Sequence, residues 1–123
     1  MSIYRSDPAA PGANVRRHGD PSLERAVDRF NSSDAARTVA GLTRTLGEPH
    51  VSIGAAAGSA GEVRITVAWE LCWYQWRVDV GGARRPVLPF GKGNEIAELD
   101  GSARQWNASA GEDGRIGFGA PVA

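Results

Sequence analysis

Lysine, cysteine and methionine each occur once in these 123 residues, and histidine twice. The lone cysteine, Cys72, excludes an intrachain disulfide framework and any metal site built from several thiolates. Two histidines, His18 and His50, leave little material for acid–base chemistry. Charge of one sign is also lacking: fourteen basic and fourteen acidic side chains give a formal net charge of zero. Nothing global therefore draws the chain to nucleic acid or to an anionic membrane. No stretch approaches the ~20 apolar residues of a membrane-spanning helix. The first twenty residues also have no apolar core of the kind a secretion signal needs. The expectation is a cytoplasmic protein with no membrane, metal, cofactor or catalytic set. Arginine supplies almost all of the positive charge, with Lys92 as the exception, a bias that fits a GC-rich bacterial genome.

The opposite of scarcity is found at Val63–Val80, VRITVAWELCWYQWRVDV, which has no Gly, Pro or Asn and carries Trp69, Trp73, Trp76, Tyr74 and Cys72. So many β-branched and aromatic residues predict strand at the centre of the fold. As one straight strand the run would extend about 59 Å, whereas a domain of this length is roughly 35 Å across. It must bend, divide in two or project into a partner. Val63, Ile65, Val67, Trp69, Leu71 and Trp73 alternate onto one face. Beyond Trp73 the polar residues Gln75, Arg77 and Asp79 take that face, and Trp76, Val78 and Val80 take the other. Such an inversion is what a β-bulge produces, and it is expected between Leu71 and Gln75.

Around this run the remaining elements follow from capping and period. Residues 1–19, polar and rich in Pro, Gly and Ala, read as a disordered tail ahead of a single domain over 20–123. Asp20 and Pro21 open a helix striped by Leu23, Ala26, Val27 and Phe30. Asn31-Ser32-Ser33 breaks it and caps a second helix, which buries Ala35, Val39, Leu42 and Leu46 and stops at Gly47 before Pro49. His50–Ala57 alternates as a strand and leads through Gly58-Ser59-Ala60-Gly61 into the aromatic run, an antiparallel hairpin. Arg84–Phe90 reads as a further strand or a crossing loop, and Glu95–Arg104 as a short helical turn. Trp106–Ser109 and Arg115–Phe118 flank Glu112-Asp113-Gly114, the strongest hairpin turn in the chain. The fold class is α+β, with two N-terminal helices packed on a twisted antiparallel sheet of four to six strands.

Few segments suggest chemistry. Thr38–Ile53, an apolar-striped helix with Leu46-Gly47 at a turn and Ile53 six residues past the glycine, resembles a bacterial helix-turn-helix. With the hairpin after it the order is similar to a winged helix, which implies DNA binding. The recognition helix on that resemblance, His50–Ala57, has no Arg, Lys, Asn or Gln to read base edges. The glycine-rich stretches at Gly54–Gly61 and Gly91-Lys92-Gly93 lack the spacing of a phosphate loop. A Cys72–His50 pair would make a thiolate nucleophile only if the first two strands set them side by side. Glu70, between Trp69 and Leu71, is a carboxylate in apolar surroundings, and with Tyr74 and Arg77 it forms a candidate ligand site.

The aromatic run itself points to docking. Burying one indole is worth roughly 4–6 kcal/mol at ~25 cal/mol per Å². Two helices cover one sheet face, and the face inversion leaves Trp76, Val78 and Val80 without cover from their own chain. The leading expectation is a non-catalytic interaction or assembly module, a homodimer in its simplest form, that binds through Trp73, Trp76, Val78 and Val80. A winged-helix regulator and a small-ligand site near Glu70 are the alternatives.

Overall fold

A computed structural model describes residues 21–56, 61–81 and 87–119. The tail expected over residues 1–19 and the proposed cap at Asp20 lie outside them. Helix α1, Pro21–Asn31, buries Leu23, Ala26 and Phe30. Ser33 ends it by donating its hydroxyl to the Phe30 carbonyl (2.7 Å) and opens α2, Asp34–Leu46, by accepting from Ala35 N. Gly47 closes α2 at φ +94°, its N–H on the Thr43 carbonyl. Ala35 and Val39 are buried as expected, Leu42 is half-buried against the core, and Leu46, the last residue of the helix, is exposed.

Six strands follow: β1 His50–Ala55, β2 Glu62–Ala68, β3 Trp73–Asp79, β4 Val87–Gly93, β5 Ala108–Ala110 and β6 Ile116–Phe118. They form one sheet in the order β4-β3-β2-β1-β5-β6, antiparallel throughout. The α+β architecture and the strand number agree with the sequence. The segment that the helix-turn-helix resemblance assigns to a recognition helix is strand β1. Val51 and Ile53 alternate into the core there, a period no helix reproduces.

The long aromatic run is two strands, which removes the length paradox. Its inversion is a hairpin turn, Trp69–Cys72, and not a bulge within one strand. Trp69 N donates to the Cys72 carbonyl (2.7 Å) across that turn. Four loop residues place Val67 opposite Tyr74, Ile65 opposite Trp76 and Val63 opposite Val78. All six therefore share the face that the helices cover. Trp76 and Val78 are buried, Val80 packs half-buried against the same core, and no partner is needed to hide them. The expectation that these three lack cover is thus corrected. An aromatic chain runs through this layer. Trp69 meets Tyr74 edge-on (6.3 Å between ring centres), Tyr74 stacks on Trp76 (6.1 Å), and Trp76 meets Phe30 edge-on (5.2 Å).

Two asparagine side chains fasten the short strands. The Asn107 amide donates to the Ile53 carbonyl and accepts from Ile53 N, both at 2.9 Å, and so continues the brief β1–β5 pairing as a backbone would. Asn31, at the end of α1, does the same to Ile116 (2.8 and 3.0 Å) and ties β6 to the helices.

Candidate docking surface

The face away from the helices carries His50 and Ser52 of β1, Glu62, Arg64, Thr66 and Ala68 of β2, and Trp73, Gln75, Arg77 and Asp79 of β3. It is not left bare. Residues 94–107 leave β4, cross this face and return as β5, so that a second small core forms beneath them. Ala68, Leu99 and Ala103 are buried there, and Gln75 donates to the Thr66 hydroxyl (3.0 Å) out of contact with solvent.

Trp73 anchors the near end of the crossing segment. Its Nε1–H is shared between the Glu95 carbonyl (2.9 Å) and Glu98 Oε1 (3.3 Å), and the same Glu98 oxygen accepts from Asn94 N and Glu95 N. The indole lies so close over β4 that a Cβ at Gly93 would stand 2.5 Å from its ring. Trp73, expected to bind a partner, holds its own chain. At the middle, Arg64 donates to Ser102 Oγ (2.6 Å) and to Asp100 (3.2 Å). At the far end Gln105 N donates to Ser52 Oγ (3.2 Å), and Trp106, held at φ +48°, lies against His50.

Asp100 is the titratable point of this fastening. Hydrogen bonds from Ser102 and from Ala103 N, with the Arg64 charge beside them, lower its carboxyl below the ordinary value. A carboxyl lowered by folding adds stability above its unfolded value of about 3.9, and that share is lost as pH falls through the folded value. Denaturation midpoints of the native protein are therefore expected to fall more steeply below about pH 4 than those of Asp100→Asn. Equal acid slopes would mean that the Arg64–Asp100–Ser102 contact contributes nothing. The effect is small, because the carboxylate is exposed and screened.

The crossing segment leaves uncovered the corner where β3 and β4 meet. Leu88 and Phe90 are 43% and 45% exposed, and the Arg77 guanidinium lies 4.3 Å from the centre of the Phe90 ring. Arg77 also faces Glu62 at 3.6 Å, an ion pair too long to be a hydrogen bond. Arg77 Nε and Glu62 Oε1 are shielded from solvent and make no hydrogen bond among the described residues. Edge strand β4 is itself unsuited to accepting another strand. Pro89 lacks an N–H, the pairing slips between Gln75 and Trp76 where Phe90 is the extra residue, and Lys92 adds a charge.

The other candidate groups do not assemble. Glu70 is exposed in the Trp69–Cys72 turn, Tyr74 lies on the helix-covered face and Arg77 on the opposite one, because strand residues three apart point to opposite sides. The structure therefore does not bring these three side chains together. Cys72 packs against the helix-side core, whereas His50 faces the other way beside Trp106, so the thiolate pair is not formed. Open clefts also lie among the described residues. One of about 540 Å³ lies between the start of α2 and β4, with Ser33, Asp34, Thr38, Trp76 and Pro89 among its walls. Another of about 780 Å³ lies between the end of α2 and the β5–β6 turn, beside Arg44, Glu48, Glu112 and Asp113. In the first the Ser33 and Thr38 hydroxyls donate to the Phe30 and Asp34 carbonyls, and no cluster of three or more His, Cys, Asp or Glu suited to a metal occurs among the described residues.

Compared with known proteins, the chain matches no family model, no curated sequence and no solved structure. Among the described residues no helix is long and apolar enough to cross a membrane.

Proposed function

We propose that this chain is a non-catalytic docking module of the cytoplasm that acts by burying the β3–β4 corner of its open face against another protein, a second copy in the simplest case. The reading moves the contact from Trp76, Val78 and Val80 to Leu88, Phe90 and Arg77. Its carrying observation is that Leu88 and Phe90 stand together in solvent around an arginine. Aromatic residues and arginine are the kinds that anchor protein interfaces. Contact through side chains, and not by added strand, follows from the blunted edge of β4. The zero net charge favours a protein partner over nucleic acid, and one unpaired cysteine suits a reducing compartment.

Sedimentation of the whole chain tests this. Native protein is expected to self-associate at about 10–100 µM, and Phe90→Asp to remain monomeric and folded, with about 1 kcal/mol or less lost in stability. A native chain that stays monomeric up to about 1 mM, or a Phe90→Asp variant that associates as the native chain does, contradicts the reading.

A further inference from the structure

We infer that residues 94–106 form a lid, which lifts from the sheet as one unit while the rest of the fold stays closed and so uncovers a polar groove floored by Ser52, Thr66 and Gln75. The lid lies over β1–β3, and its opening is independent of whether the β3–β4 corner docks. Among the described residues its backbone hydrogen bonds run only to itself: Glu98 N to Glu95, Leu99 N to Ile96, Ala103 N to Asp100 and Arg104 N to Gly101. The ladder bonds of the sheet run from strand to strand, so lifting the lid breaks none of them. Fastening falls to side chains. The bonds from Trp73 to Glu95 and Glu98, and from Arg64 to Asp100 and Ser102, are exposed. Water replaces such bonds at little net cost. Leu99 and Ala103 are the buried side chains of the lid. Few buried apolar contacts beside exposed hydrogen bonds are what mark a locally opening unit.

The floor favours opening as well. Ser52 is directly opposite Thr66, and Thr66 directly opposite Gln75, so a polar row crosses β1, β2 and β3 beneath the lid. All three residues are buried. An apolar floor would resist wetting, whereas hydroxyl and amide groups regain water when uncovered. The bond from Gln75 to Thr66 lies within the sheet and survives, and the bond from Gln105 N to Ser52 Oγ is given up. Trp106, at the far end, sits at φ +48°, a costly conformation for a residue with a side chain, and release of the lid lets it relax. Just beyond, the Asn107 clamp on Ile53 keeps β5 in its place, so the motion ends there.

Amide hydrogen exchange of the whole chain tests the lid. The Leu99, Ala103 and Arg104 amides are expected to be protected, yet to exchange at least about a hundredfold faster, relative to their intrinsic rates, than the central amides of β2 and β3. Ile65→Val, a conservative change on the helix-covered face, is expected to speed the β2 and β3 amides roughly two- to tenfold and to leave the lid unchanged. Leu99→Ala, in the first turn of the lid, is expected to speed Ala103 and Arg104 in the second turn as much as the amide at position 99, at least about tenfold. Lid amides that are unprotected, that are as slow as the sheet, or that quicken with it in Ile65→Val overturn the lid. A response to Leu99→Ala confined to the first turn overturns its opening as one unit.

Discussion

Gly114→Ala is expected to cost at least about 4 kcal/mol, a large part of the roughly 5–15 kcal/mol that holds a domain of this size together. Two effects combine. Gly114 has φ +81°, where a side chain is strained by about 1–2 kcal/mol. The turn between β5 and β6 also rests directly on α2. A Cβ on Gly114 would collide with the Ala36 carbonyl oxygen and stand 2.7 Å from Ala40 N, so helix and hairpin must separate. Gly61 provides the control. It has nearly the same φ, +80°, with no described residue within 4 Å of an added Cβ, and Gly61→Ala is expected to lose only the conformational part, about 1–2 kcal/mol. Chemical denaturation of the two variants separates the terms. Equal losses would show that the approach of the turn to α2 is looser than described.

Trp76→Ala is expected to destabilise the fold by about 3–5 kcal/mol, through lost burial and the cavity left between Phe30 and Tyr74. Phe90→Ala, only two strand positions away in space, is expected to cost less than about 1 kcal/mol, because its ring is nearly half exposed. The pair discriminates between the two faces of the sheet. A docking residue affects association and leaves stability nearly intact, whereas a core residue does the reverse. Denaturation curves in which Trp76→Ala is mild and Phe90→Ala severe would mean that the faces have been assigned the wrong way round.

These two substitutions also mark where the sequence could be read and where it could not. Both helices were legible because local chemistry bounds them: Ser33 supplies a cap, Gly47 a positive φ, and Leu23, Ala26 and Phe30 a single stripe. The β5–β6 hairpin was legible from Asp113-Gly114. The turn at Trp69–Cys72 was not, because it contains none of the residues that usually mark turns. It is held instead by the Trp69 N–H on Cys72 and by the Trp69 indole on the Gly47 carbonyl (2.8 Å), a tertiary contact invisible to local pattern. Without that turn, alternation would put Trp76 and Val78 on the outward face; with it they lie opposite Ile65 and Val63 in the core.

The cover over the open face was hidden for a similar reason. Residues 94–107 have little apolar content beyond Ile96, Leu99 and Trp106, and most of their fastening is polar, through Glu98, Asp100, Ser102 and Asn107. Periodicity detects apolar faces and not such hydrogen-bonded straps. Pro86 and Pro89 within an apolar segment mark an edge strand, and an edge strand carrying Leu88 and Phe90 has fewer neighbours with which to hide them.

The most direct test of where this molecule docks is amide hydrogen exchange of the whole chain, measured at two protein concentrations on either side of self-association. Protection gained on concentration is expected in residues 75–79 and 87–93, with α1 and α2 unchanged. Protection gained on the helices instead, or no change anywhere, would contradict the assignment of the β3–β4 corner as the docking surface.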